Sequence, residues 1–233
     1  GVFGEDGTVQ ALLEALRLPY VGSGVAASAL AMDKARAKRV YAASGLPTPG
    51  FEALGAGDAA RLERALDAVP GPWVIKPSAS GSSVGVSFPS SRADADGEVR
   101  GHLGAGREVV IERVVKGREL TCGVLDHADG PRALPVTEII PRGTHAFFDF
   151  AAKYTPGATD EVTPAAIPED LARAVRDLAV RAHRALGCRD LSRTDFMLDE
   201  GAPTLLETNT LPGFTPTSLL PQAAIASGFT FEA

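Results

Sequence analysis

Three groups of residues in this chain of 233 have side chains and spacing suited to chemistry. The first is Arg193-Thr194-Asp195-Phe196-Met197-Leu198, a polar turn through Gly201, and Thr204-Leu205-Leu206-Glu207-Thr208-Asn209. Read as a hairpin centred on Gly201, residues equidistant from that glycine pair across it, and Asp195 faces Glu207. Side chains two apart on a strand share a face, which adds Arg193 and Asn209 to the patch. Opposed carboxylates repel unless a cation lies between them, and an all-oxygen set of Asp195, Glu207 and Asn209 suits Mg²⁺. A divalent ion would bring phosphates with it. The competing reading is an edge hairpin with both carboxylates in solvent, because a slip of one residue turns every side chain over.

The second group is Lys76-Pro77-Ser78-Ala79-Ser80-Gly81-Ser82-Ser83-Val84-Gly85. A lysine ending an apolar strand, followed by a Gly/Ser loop rich in backbone N–H groups, makes a polyphosphate cradle. It is not a Walker A loop, since no GxxxxGK[ST] occurs in the chain. Alone it reads more readily as an ordinary surface loop; beside a metal hairpin it reads as a nucleoside triphosphate site. The third group, Gly22-Ser23-Gly24-Val25-Ala26-Ala27, matches the dinucleotide fingerprint, but the acidic residue required about 20 positions on is absent, so a dinucleotide oxidoreductase ranks below. Glu112 and Glu119 sit at strand ends, where a carboxylate either holds a ribose diol or is simply solvated. His102, His127, His145 and His183 have no metal-ligand spacing, and Cys122 and Cys188 read as reduced, buried thiols.

Composition sets the outer bounds. The chain is 45% hydrophobic and 22% charged, enough for one or two packed cores. Its net charge of −6 excludes a general nucleic-acid or anionic-membrane binder. No apolar run is long enough for a membrane helix, and GVFGEDGT lacks signal-peptide character, so a cytoplasmic protein is expected. The first residue is Gly1, in what reads as mid-motif, and the expectation is a chain truncated at its start.

The elements that must position these groups follow from periodicity. Helices are expected over 8–17, 26–44, 58–69 and 168–186, the last with Leu171, Val175, Leu178, Ala182 and Leu186 on one stripe and Gly187 as its stop. Strands are expected over 18–21 and 72–75, and over 108–115, 119–125 and 134–140 as an antiparallel meander. The aperiodic stretch 141–164 reads as a lid.

Taken together, these motifs resemble the ATP-grasp enzymes, and among them the D-alanine:D-alanine ligases. The resemblance is carried by Gly4-Glu5-Asp6-Gly7-Thr8-Val9-Gln10, Gly22-Ser23-Gly24 running to Met32-Asp33-Lys34, Val74-Ile75-Lys76-Pro77 with Gly81-Ser82-Ser83-Val84-Gly85, Ala152-Lys153-Tyr154, Arg193-Thr194-Asp195, and Glu207-Thr208-Asn209 through Thr215. It implies an α/β (α+β ATP-grasp) fold, with 1–22 the remnant of a Rossmann-like N-terminal domain, 23–112 a central subdomain and 113–233 a C-terminal subdomain. Lys34, Lys76 and Lys153 would meet ATP phosphates under a closing loop with Ser82 and Ser83. Glu112, Arg113 and Val115 would line the adenine, and Glu119 would hold the ribose. Asp195, Glu207 and Asn209 would bind two Mg²⁺, with Mn²⁺ as the substitute ion. Ser82 and Tyr154 would orient the first D-alanine, and Glu5, Ser218 and Leu219 complete the substrate residues. Arg193 and the Gly213 N–H would stabilise an oxyanion. The implied product is D-alanyl-D-alanine for peptidoglycan precursors, made by a homodimer. The rivals are a D-alanine:D-lactate ligase and a non-ligase nucleotide-binding protein.

Overall fold

The computed structural model describes residues 3–81, 84–142 and 159–231. Two antiparallel sheets organise it. The smaller has β1 (Phe51–Leu54), β2 (Trp73–Pro77) and β3 (Val109–Arg113) in the order β1-β3-β2. Its central strand alternates: Val109 and Ile111 pack with Leu54, Ile75 and two helices, α4 (Leu62–Ala68) and α5 (Arg92–Gly104), through Leu62, Leu66 and Val99. The other face turns Val110 and Glu112 toward the N-terminal half of the chain.

The larger sheet is built from β4 (Arg118–His127), β5 (Gly130–Ala133), β6 (Thr137–Pro141), β7 (Thr159–Val162), β8 (Leu191–Asp199) and β9 (Ala202–Asn209), in the order β7-β6-β4-β8-β9 with β5 beside β4. One face is covered by α6 (Glu169–Leu186), whose stripe of Val175, Leu178, Ala179, Ala182 and Leu186 is buried on Leu120, Cys122, Phe196 and Leu205. The helix stops where Gly187 takes a left-handed φ of 69°. Phe196 and Leu205 face each other fully buried. At about 1.5–3 kcal/mol per buried side chain they pin the hairpin register, because a slip would expose them and bury charge.

Four expectations are corrected. The helix expected over 26–44 is two, α2 (Val25–Met32) and α3 (Lys34–Ala43). Asp33 between them is extended (φ −85°, ψ 98°), and its carboxylate accepts from the Arg36 N–H at 3.0 Å, capping α3. The helix expected over 58–69 begins as a 3₁₀ turn, Ala59–Arg61, and becomes α4 only at Leu62. Residues 18–21 form no strand; they are tied down instead by Arg189, whose guanidinium lies 5.0 Å from the Tyr20 ring, after the short helix α1 (Thr8–Ala15). The run 108–115 does not join a meander with β4 and β6. It is the buried centre of the smaller sheet, paired with β2 and with β1, a strand too short to show a period. The lid expected over 141–164 lies mostly outside the described residues, apart from β7.

Candidate active site

The β8–β9 hairpin turns on Glu200 and Gly201, both left-handed at φ 48° and 85°, and Asp199 pairs with Ala202. Such a two-residue loop matches the natural strand twist. It also moves the centre of symmetry half a residue away from Gly201. The register then shifts between Asp195 and Phe196: Phe196 opposes Leu205, Asp195 opposes Glu207, and Leu206 is the extra residue. Beyond the bulge Arg193 opposes Asn209, so the expected four residues do share one patch.

Asp195 is the centre of that patch. Its two oxygens accept from Arg193 Nε and Nη2 at 2.9 and 3.0 Å, from the Thr121 hydroxyl at 2.6 Å and from Asn209 Nδ2 at 3.1 Å. Glu207 carries Lys34 at 3.4 Å. The opposed carboxylates are therefore compensated by two side-chain cations. Burial works against the Arg193 charge, yet Asp195, Glu207 and Glu119 together hold its guanidinium above its ordinary value. Among the described residues no three Asp, Glu, His or Cys side chains gather as a metal cluster. A cation at this patch would have the carboxylates of Asp195 and Glu207 and the Asn209 amide oxygen as its protein oxygens. That all-oxygen chemistry fits Mg²⁺, a hard ion that keeps several waters.

Lys34 also joins the patch to the Gly/Ser loop. Its ammonium donates to the Ser80 carbonyl at 2.7 Å and its backbone N–H to the Ser78 carbonyl at 2.8 Å. The Ser78 hydroxyl in turn donates to Asp33 at 2.7 Å. The start of the loop is fastened to the N-terminal turn of α3. Glu5 lies beside it, its carboxylate 3.8 Å from where a Cβ on Gly81 would stand. Ser82, Ser83, Lys153 and Tyr154 are outside the described residues.

Behind the loop sits a buried charge cluster. Glu112 places one oxygen 3.1 Å from Lys76 Nζ and the other 3.4 Å from Lys38 Nζ. Burial opposes ionisation of Glu112, but the two ammonium groups hold its carboxyl below the ordinary range. Burial lowers Lys38 to about 8, with Glu112 resisting the shift. Lys38 was missed by sequence reasoning, although its position four residues after Lys34 puts both on one helix face. Thr121 was missed as well; nothing in its local pattern separates it from other strand hydroxyls.

A cavity of about 400 Å³ opens at the junction of the two sheets' connecting segment and the larger sheet, lined among others by Val115, Glu119, Ile139, Ile140 and Met197. Val115, Ile139, Ile140 and Met197 give it an apolar wall that suits a flat aromatic ring, and Lys116, Arg118, Glu119 and Glu138 supply charged groups beside it. Of the four residues expected around a nucleoside, Val115 and Glu119 line this cavity. The Glu112 carboxylate instead faces the lysines, and Arg113 is exposed, its backbone N–H bonded to Gly50. Gly213 follows β9 and approaches Ser218 so closely that a Cβ would stand 2.8 Å from the Ser218 hydroxyl. That hydroxyl accepts from the Thr215 N–H at 3.1 Å, and Leu219 opens α7 (Leu219–Ala226).

A family model described as D-ala D-ala ligase C-terminus matches residues 40–233. The chain is 46% identical over 237 residues to the D-alanine–D-alanine ligase of Desulfotalea psychrophila, covering 99% of this chain and 72% of that protein. The D-alanine–D-alanine ligase of Bacillus anthracis complexed with ATP superposes with a TM-score of 0.79 at 32% identity, over 99% of this chain and 72% of that one. The VanG D-Ala:D-Ser ligase of Enterococcus faecalis gives a TM-score of 0.86 at 31% identity, over 98% and 66%. No helix among the described residues is long and apolar enough to cross a membrane. The chain belongs to the D-alanine–D-alanine ligase family and has its ATP-grasp fold.

Proposed function

We propose that the protein joins two D-alanines at the expense of ATP, through an acylphosphate, in making peptidoglycan precursors in the cytoplasm. The observation that carries this reading is the single patch of Arg193, Asp195, Glu207 and Asn209, which Lys34 ties to the Gly/Ser loop. A carboxylate oxygen of the first D-alanine attacks the γ-phosphorus, the bond to the β–γ bridging oxygen breaks, and ADP departs. The amine of the second D-alanine attacks the acyl carbon, phosphate leaves, and the amine proton passes to solvent.

In this reading the base lies in the cavity at Val115 and Glu119 receives the ribose. Lys34 and Lys76 bind the phosphates, and loop 80–85 with Lys153 excludes water that would hydrolyse the acylphosphate. Asp195, Glu207 and Asn209 would hold Mg²⁺, which when bound supplies charge neutralisation at the transferring phosphoryl group. Arg193 and the Gly213 N–H meet the oxyanion as it forms, a role whose removal costs roughly 10²–10³ in rate. Glu5, Ser82 and Tyr154 orient the first D-alanine; Ser218 and Leu219 bound the second. The test is to incubate the protein with ATP, Mg²⁺ and D-alanine, alone or with D-lactate or D-serine, and to weigh the product. A D-alanyl-D-alanine product supports the reading. A depsipeptide or a D-Ala–D-Ser product would move the second substrate, and no condensation product would overturn it.

A further inference from the structure

Lys38, Glu112 and Lys76 form a buried line of charges in which the carboxylate gives one oxygen to each lysine, at 3.4 and 3.1 Å. The two lysines differ in access. The side chain of Lys38 is 2% exposed and that of Lys76 is 16% exposed. Lys38 Nζ is further enclosed by the Thr48 hydroxyl, which accepts from it at 2.7 Å, and by the Phe51 ring, 5.2 Å away. No ligand can reach it, so its charge serves another charged group. For packing alone, an apolar side chain of the same length would avoid the desolvation cost of a buried ammonium.

We propose that Lys38 is a positioning residue that takes up the negative charge of Glu112, leaving the ammonium of Lys76 to an anionic ligand. With Lys38 the three groups sum to +1; without it, Glu112 and Lys76 cancel. Solvent screens little of this difference in a buried cluster. A phosphate arriving at Lys76 then meets a free cation rather than one already neutralised by its own anchor. The inference deepens the nucleotide reading of the site and rests on it.

The test compares the full chain with Lys38→Met and with Lys38→Met/Glu112→Gln, measuring ATP binding by calorimetry together with kcat and the KM for ATP and for D-alanine. Lys38→Met is expected to raise the ATP dissociation constant and KM about tenfold, with kcat and the D-alanine KM within about twofold. Adding Glu112→Gln restores the +1 charge, and most of the ATP affinity should return although a second buried charged group has been removed. A purely structural role predicts the reverse, a double variant weaker than the single one, and that result would overturn the proposal, as would unchanged ATP affinity in Lys38→Met. Should Lys38→Met not fold, Glu112→Gln alone decides: it should bind ATP at least as tightly as the unaltered protein, and weaker binding contradicts the proposal. Failure of the unaltered protein to bind ATP would instead sink the nucleotide reading itself.

Discussion

Asp195 and Glu207 stand directly opposite each other because a bulge at Leu206 returns the residue that the tight Glu200-Gly201 turn removes. The inner half of the hairpin is held by Phe196 and Leu205 in the core, the outer half by the polar patch. The bulge lets one hairpin satisfy both. Deleting Leu206 removes the extra residue, so Glu207 follows Leu205 in an unbroken ladder and stays opposite Asp195. We expect the deletion variant to keep activity within about tenfold of the unaltered protein, with Asp195, Glu207 and Asn209 still on one face. Nucleotide-dependent ADP release, measured beside a thermal melt, checks it; a folded deletion variant without activity would contradict it.

Thr121 is buried and its hydroxyl gives Asp195 a 2.6 Å hydrogen bond from the neighbouring strand β4. Removing a donor to a buried charged group costs on the order of 1.5–3 kcal/mol. Thr121→Val should lower stability by about that amount and raise the Mg²⁺ concentration for half-maximal activity, whereas Thr121→Ser should recover both. Denaturant unfolding and a Mg²⁺ titration measure the two effects. Equal behaviour of the Val and Ser variants would show that the hydroxyl does not orient Asp195.

Gly117 leads into β4 at a φ of 141°, and a Cβ there would stand 2.0 Å from the Leu198 carbonyl oxygen. No neighbouring side chain can move to relieve this, because the clash is with backbone. Gly117→Ala should cost at least about 2 kcal/mol. Since Gly117 also lines the cavity at Val115 and Glu119, where the proposed function seats the base and ribose, the KM for ATP should rise with the loss of stability. A variant with an unchanged melting temperature would contradict the close approach.

Acid should destabilise the protein in two stages. His183 is buried between the Ser192 hydroxyl at 2.8 Å and Asp126 at 3.3 Å, and burial holds it below its ordinary 6.5. The unfolded chain takes up that proton first, so stability is present above pH 6.5 and declines as pH falls through the window below it. Glu112 is likewise held below its ordinary 4.5, so its contribution is lost as pH falls further, below 4.5. Denaturant unfolding of the full chain and of His183→Gln between neutral pH and pH 4 should show the first decline only when His183 is present. An identical pH dependence in the variant would assign the decline elsewhere.

Much of this site was legible in the sequence because side-chain alternation carries register information. Asp195, Glu207 and Asn209 could be placed on one face from spacing alone, even though the assumed centre at Gly201 was half a residue off; the bulge compensated, and no sequence signal marks it. The amphipathic stripe of α6 was equally plain. The break at Asp33 was hidden because the Ala-rich run on both sides has helical propensity, and only the Asp33 to Arg36 cap interrupts it. Strand β3 was assigned to the wrong sheet because its partner β1 is four residues long and carries no readable period. Lys38 escaped notice because a lysine on a helix is ordinarily solvated; its meaning depends on Glu112, 74 positions away in the chain and brought to it only by the fold.

The most direct test of the account is ADP release by the protein with ATP and Mg²⁺, with and without D-alanine, compared between the unaltered chain and Glu207→Gln. The account predicts D-alanine-dependent ADP release with D-alanyl-D-alanine as product, lost in Glu207→Gln. ADP release that ignores D-alanine, or a Glu207→Gln variant as active as the unaltered protein, would contradict it.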